Sequence, residues 1–335
     1  MAGVITSPVA PWIAAQCAEL AQQRSHALLL HGPSGLGQLD LALALARLWL
    51  CETPGPAGGC SQCTSCHALD VRTNADLFVL MPETLLLEHG WPLGEKEQAD
   101  IDEKKRKPSK EIRIDAMRAA IGFSQRTSAA GRGKVVLIYP AQRMNAVTAN
   151  ALLKTLEEPP GSVRFVLASE SAHLLLPTIR SRCLGHAMHW PQSEVSIAWL
   201  AEKGVDSTAA DVFMRATGGR PDDALQLAMA KTAPADWSAL PKAVQRGVPG
   251  LLAHFAPQQV VDTLQKVCHD LQLQRFGALP RFFLAADLPP APPIPVLARW
   301  SQALADARRT AEHPFNSGLM LEALVSQAQN ALNSR

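Results

Sequence analysis

No stretch of this chain approaches the roughly 18–20 apolar residues that a membrane span needs. The richest run, residues 39–50, is broken by Asp40 and Arg47. The opening MAGVITSPVAPWIAAQ lacks the charged segment and apolar stretch of a secretory leader. The expectation is a cytoplasmic protein with no membrane partner. Net charge is nearly absent too: 32 basic and 30 acidic residues leave +2. No global field draws such a chain onto nucleic acid, so any DNA contact must be a local patch. There is no internal repeat, and the ten histidines show no pairing with Ser or Cys that makes a nucleophile.

What is present is an ordinary globular composition, 47% hydrophobic and 19% charged, over 335 residues. That length implies two or three domains. Helical spacing covers residues 12–23, 38–51, 114–123 and 146–158, the last closed by Pro159-Pro160. Short apolar strands are predicted at 27–30, 76–80, 134–139 and 164–168. KVVLIY at 134–139 has no polar alternation, as expected of a parallel strand buried on both faces. Strands alternating with helices predict an α/β fold with a parallel sheet. Residues 82–110 carry dense mixed charge and are expected to form a surface insertion. Its KKRK lies beside Asp100, Asp102 and Glu103 and is expected to be solvated. Past Cys183 no strand is expected: two helical pieces run to about residue 235, then helices with Pro-rich joints such as LPPAPPIP at 288–295.

Residues 28–51, LLLHGPSGLGQLDLALALARLWLC, form a strand, a Gly-rich turn and a helix, the setting of a phosphate-binding loop. The pattern G-x-x-x-x-G-K-[ST] falls on residues 32–39 with Gly32 and Gly37 in place. Gln38 fills the lysine slot and Leu39 the Ser/Thr slot. The lysine of a working loop reaches the β- and γ-phosphates and the hydroxyl holds Mg²⁺. Gln38 is neutral and Leu39 has no oxygen. Either the loop survives as scaffold, its glycines making the tight turn, or it was never a nucleotide site; in both cases no ATP hydrolysis is expected.

Seven cysteines in a reducing compartment point to metal rather than disulfides. Cys51, Cys60, Cys63 and Cys66 are spaced C-x₈-C-x₂-C-x₂-C. The two short steps bring neighbouring thiolates onto one tetrahedral ion, and four thiolates leave no open position. A structural zinc is expected. His67 is an alternative ligand, and an iron–sulfur cluster or a set of free thiols are the other outcomes. Cys17 and Cys268 suit small apolar fillers on helices.

Four motifs then point to one family: NALLKTLEEPP at 150–160, LLPTIRSRC at 175–183, GRPDDAL at 219–225 and EHPFNSGLMLEALV at 312–325. Through them the chain resembles the clamp-loader subunits of bacterial DNA polymerase III, within the AAA+ superfamily. The resemblance implies a RecA-like AAA+ domain over residues 1–185, a small helical lid over 186–235 and an all-α collar over 236–335. It also implies a pentameric ring with ATP between neighbours. The implied partners are the ATPase (gamma/tau) subunits, the delta subunit, and through the complex the sliding clamp and primed DNA; membership of a DNA-directed DNA polymerase holoenzyme follows.

Active members end the central strand in Asp-Glu; here Tyr139-Pro140 stand there. Their lid carries Gly-Ser-x-Arg-Asp; here Asp222 fills the arginine slot, with Arg220 two residues earlier. The resemblance makes Arg182, between Ser181 and Cys183, a finger acting in trans on the neighbour's nucleotide. A local ion pair is the competing role. Lys154 is a candidate DNA contact or half of a surface pair with Glu158. The apolar stripe Leu321, Leu324, Val325, Ala328 and Leu332, behind an Asn316 N-cap, is either internal core or collar contact. Trp190 and Trp237 are expected to be packing anchors. Two other functions stay in contention: an active motor subunit of the same assembly, and a zinc-knuckle nucleic-acid-binding protein.

Overall fold

Strands as apolar as 134–138 must be covered on both faces, and the folded chain does this with a parallel sheet between helices. The computed structural model describes residues 9–55, 58–230, 232–311 and 316–334. The expectation about a leader rests largely on residues 1–8. Those residues, part of the cysteine loop (56–57) and the opening EHPF of the last motif (312–315) lie outside the described residues. The chain divides into two compact units after Trp190.

The first unit runs α1 (Pro11–Ala21), β1 (Ala27–His31), α2 (Gln38–Leu50), α3 (Thr64–Asp70), β2 (Leu77–Leu80), α4 (Glu83–Glu88), α5 (Glu95–Asp102), α6 (Ile114–Ser124), β3 (Lys134–Ile138), α7 (Ala146–Glu157), β4 (Val163–Ser169), α8 (Pro177–Arg180) and β5 (Leu184–Ala187). Sheet order is β2-β3-β4-β1-β5, every pairing parallel. This is the RecA-like α/β arrangement that the resemblance implies. Val136, Leu137, Ile138, Val166 and Leu167 are wholly buried. Because β1 is flanked by β4 and β5, the turn after β1 lies at the carboxyl ends of the strands where the chain order reverses. In open α/β sheets that is where ligands bind.

Two features differ from the sequence expectation. A strand does follow Cys183: β5 adds to the free edge of β1 in register Leu28 with Leu184. Its sequence LGHA buries only His186, so an exposed four-residue edge strand carries no apolar signal. The charged insertion is a folded segment rather than a solvated loop, with α4 and α5 inside it. Glu83 is the reason: buried, it accepts from Arg106 Nη2 at 2.9 Å and from Ser109 N at 2.8 Å, with Arg113 at 3.6 Å. Arg106, the arginine of KKRK, is therefore turned inward. A single carboxylate meeting three distant donors leaves no periodic trace.

Asp76, just before β2, does the same at the opposite end of the sheet. It accepts from Ala129 N (2.8 Å), Ala130 N (2.9 Å), Ser128 Oγ (2.9 Å) and the buried Lys134 Nζ (3.2 Å). Burial raises its carboxyl pKa, but these donors outweigh that and hold it below the usual aspartate range. Its stabilisation is therefore complete above about pH 4 and is lost as pH falls through the lowered folded value. Asp76→Ala is expected to cost about 3–5 kcal/mol, because Lys134 stays buried without its partner. Urea denaturation at pH 7 measures this, and the gap from wild type should shrink below pH 4.

The second unit is all-helical: α9 (Ser193–Glu202), α10 (Ser207–Ala216), α11 (Pro221–Met229), α12 (Pro234–Gln245), α13 (Pro257–Arg275), α14 (Ile294–Thr310) and α15 (Ser317–Leu332). Three helices, not two, precede residue 235, because Gly204 and Gly218 (φ +85° and +67°) break the run twice. Leu324, Val325, Ala328 and Leu332 are buried beside Leu264, Val267 and Trp300, so the C-terminal stripe is internal core of this unit. Asn316 caps α15 through Gly318 N (3.0 Å) and Leu319 N (3.2 Å). Trp237 stacks on Phe283 at 5.0 Å and anchors the same core, whereas Trp190 is 49% exposed.

Candidate functional site

Gly37 enters α2 in the left-handed region (φ +85°), and Gly35 also has positive φ (+77°), so the turn needs residues without Cβ at both places. At Gly32 an added Cβ would stand 2.9 Å from the Met188 Cβ. The glycines thus have a structural reason of their own. Gln38 decides what the loop can do. It is 2% exposed, and its Nε2 donates to Gly32 O (2.9 Å) and Pro33 O (2.7 Å). Both amide protons are spent on the loop's own carbonyls. Trp12 Nε1 adds a bond to Leu36 O at 3.3 Å. The side chain in the lysine slot is a staple within the turn and offers no positive charge beyond it.

The second slot is equally committed. Tyr139, past the end of β3, donates its hydroxyl to Glu170 Oε1 at 2.8 Å. Gln142 Oε1 accepts from Ser169 Oγ (2.8 Å) and Glu170 N (3.3 Å), tying the end of β4 to this corner. Pro140 has no polar side chain. Glu170 was not singled out from the sequence, since only the sheet brings the ends of β3 and β4 together. Its carboxylate is engaged by the Tyr139 hydroxyl. In the second unit Arg220 is held by Thr217 O (2.8 Å) and Asp223 Oδ2 (3.0 Å), at the N-terminus of α11 that also carries Asp222.

The four cysteines converge. Cys51 ends α2, Cys63 caps α3 and Cys66 lies in its first turn. Their sulfurs all lie within 4.8 Å of one another, with Cys51 Sγ to Cys63 Sγ at 3.9 Å. A tetrahedral ion with Zn–S of about 2.3 Å has an S–S edge of about 3.8 Å, so the residues fit a zinc. Backbone N–H groups point at the sulfurs as they do at bound thiolates: Cys60 N to Cys51 (3.2 Å), Cys63 N to Cys60 (3.3 Å) and Cys66 N to Cys63 (3.4 Å). The Thr53 side chain, with the N–H groups of Gln62 and Cys63, brings the Cys60 thiol down to about 6, while burial pushes Cys66 up to about 12. The loop is closed by the partly buried Arg47–Asp70 ion pair between α2 and α3 and by Ser65 N to Glu52 Oε1 at 3.2 Å. His67 is exposed on α3 and does not join the cluster among the described residues, so it is not an alternative ligand here.

Arg182 lies between α8 and β5 with its guanidinium on Glu157, the last residue of α7, through Nε at 2.7 Å and through Nη2. Nη1 donates to Thr178 O at 2.9 Å. The local ion pair is therefore formed, and the side chain remains 32% exposed. Ser181 is exposed; Cys183 turns toward the core under the sheet, and burial pushes its thiol up to about 11, so it is packing rather than chemistry. Lys154 is exposed on α7 and makes no ion pair among the described residues. The expected Lys154–Glu158 pair does not form. Glu158 precedes a proline, which disfavours helical geometry, and it leaves the helix at φ −126°, ψ 76°.

A family model described as "DNA polymerase III, delta subunit" matches residues 15–189. DNA polymerase III subunit delta' of Pseudomonas aeruginosa is 38% identical over 221 residues, 65% of this chain and 60% of that protein, so the match spans less than two thirds of the relative's length. The subunit delta' of Escherichia coli is 28% identical over 277 residues, 76% of each chain. DNA polymerase III subunit tau of Escherichia coli is 33% identical over 159 residues, 48% of this chain and 21% of that one.

Proposed function

Since the chain belongs to the DNA polymerase III delta-prime subunit family, we propose that it is the non-hydrolysing subunit of a clamp loader, acting on a neighbour's ATP through Arg182. The observation that carries this is Gln38, folded back on Gly32 O and Pro33 O in the slot where a lysine would meet phosphate. Leu39 adds no metal ligand, and Tyr139 is bonded to Glu170 where an acid would be needed. Phosphate lysine, metal hydroxyl and water-orienting acid are thus all replaced. The alternative of an active motor subunit, which the similarity to tau keeps in view, needs all three.

In this reading the partners are gamma/tau ATPase subunits, the delta subunit and, through the complex, the sliding clamp and primed DNA in the cytoplasm. The all-helical second unit supplies lid and collar, and Lys154 is a candidate contact to a DNA phosphate. Cys51, Cys60, Cys63 and Cys66 hold a structural zinc, which organises the segment between α2 and α3 and takes no part in catalysis.

The isolated chain is expected to release no phosphate from ATP above the blank. Gly37→Asp, which puts a carboxylate and a Cβ at a positive-φ position of the loop, serves as the control. Turnover surviving that change is a contaminant's. Turnover that the change abolishes means the loop works, and the proposal fails.

A further inference from the structure

Arg182 has five N–H donors, as every guanidinium has, and the structure accounts for three of them. Nε and Nη2 each give one to Glu157 Oε1. Nη1 faces Thr178 O at 2.9 Å and Ser181 Oγ at 3.4 Å. Those two acceptors are bonded to each other, Ser181 Oγ donating to Thr178 O at 3.1 Å. They therefore lie to the same side of Nη1, and one N–H serves both. One N–H on each terminal nitrogen is left without a partner among the described residues, on a side chain that keeps a third of its surface exposed.

The position of Glu157 is not explained by its own helix. A carboxylate in the last turn faces the negative end of the helix dipole and weakens the helix. Glu157 is nevertheless the last helical residue, because Glu158 precedes Pro159 and is driven out of helical geometry. The Pro-Pro stop thus sets where this carboxylate stands, and Arg182 stands opposite it.

We propose that Glu157 is a positioning residue for Arg182: with Thr178 O it fixes the guanidinium so that the unspent N–H on each terminal nitrogen faces outward toward a phosphate. This rests on the trans role given to Arg182 above. A free arginine must freeze its rotors as the transition state forms; one already clamped meets γ-phosphate oxygens with its donors aligned. A carboxylate serves better than a neutral acceptor because charge-assisted bonds to guanidinium are short and directional.

The test uses complete rings in which only the adjoining motor site can hydrolyse, with rates normalised to assembled ring. Glu157→Ala is expected to lower kcat ~10–100-fold, the effect of misplacing a catalytic group by about 1 Å, with KM for ATP near wild type. Glu157→Gln keeps an acceptor oxygen and should recover most of the loss. Arg182→Ala and the double variant with Glu157→Ala should be equally slow, since Glu157 acts only through Arg182. Wild-type or faster turnover by Glu157→Ala, no rescue by Glu157→Gln, or additive losses in the double variant would each overturn the positioning role. If Glu157→Ala is silent while Arg182→Ala is slow, positioning fails and the finger stands. If Arg182→Ala is itself silent, the finger reading fails.

Discussion

Arg182→Ala is expected to slow ATP turnover at the one adjoining motor site by ~10³–10⁵-fold, the range for an arginine supplied in trans. Charge builds on the γ-phosphoryl oxygens as the bond to the leaving group loosens. A guanidinium is always protonated and can meet two of those oxygens at once. The same substitution should leave this chain folded, able to enter the ring and loaded with zinc. Arg182 and Glu157 are 32% and 47% exposed, and an ion pair so open to water stabilises by about 1 kcal/mol or less. Glu157, left alone, remains solvated. The measurement is single-turnover hydrolysis in rings where every other site has been inactivated, with the unfolding temperature of the isolated variant alongside. A large rate loss with an unchanged transition separates a group acting across the interface from one that merely packs.

Cys63→Ser is expected to reduce zinc from one per chain to near zero in protein purified without chelator. Cys63 has two jobs, sulfur ligand and N-cap of α3, where its Sγ accepts from Cys66 N at 3.4 Å. Serine is a good N-cap, so the start of the helix is preserved and the metal alone is lost. The ion is expected to contribute on the order of 10 kcal/mol of apparent binding energy, which holds Cys51, Cys60 and α3 in one loop. Amide exchange across 58–70 should therefore rise sharply. β3 and β4, buried at the centre of the sheet, should keep their protection. Elemental analysis gives the first result and exchange mass spectrometry the second. A zinc content near zero in the wild type would remove the site.

Much of the first unit was legible because burial on both faces writes itself as uninterrupted apolar runs. Strands β1, β3 and β4 and helices α2 and α7 stand within a residue or two of where periodicity puts them. β5 was not legible, since three of its four residues are exposed and one is glycine. Glu83 and Asp76 escaped for a different reason: each organises a segment through donors 23 to 58 positions away, and composition shows only charge. The site divides the same way. The cysteine spacing announces convergence because short steps allow little else. That Gln38, Leu39, Tyr139 and Pro140 stand at the positions of the pattern is read directly from the sequence. That Gln38 turns inward, that Tyr139 meets Glu170 and that Arg182 meets Glu157 depends on the sheet and on helix ends, and no spacing reports it.

The most direct measurement of the central claim is phosphate release by a motor subunit titrated with this chain. The account predicts that this chain alone is silent, that the wild type raises the motor's turnover at saturation, and that Arg182→Ala binds the motor equally but does not raise it. Equal stimulation by wild type and Arg182→Ala, or turnover by this chain alone that Gly37→Asp abolishes, would contradict it.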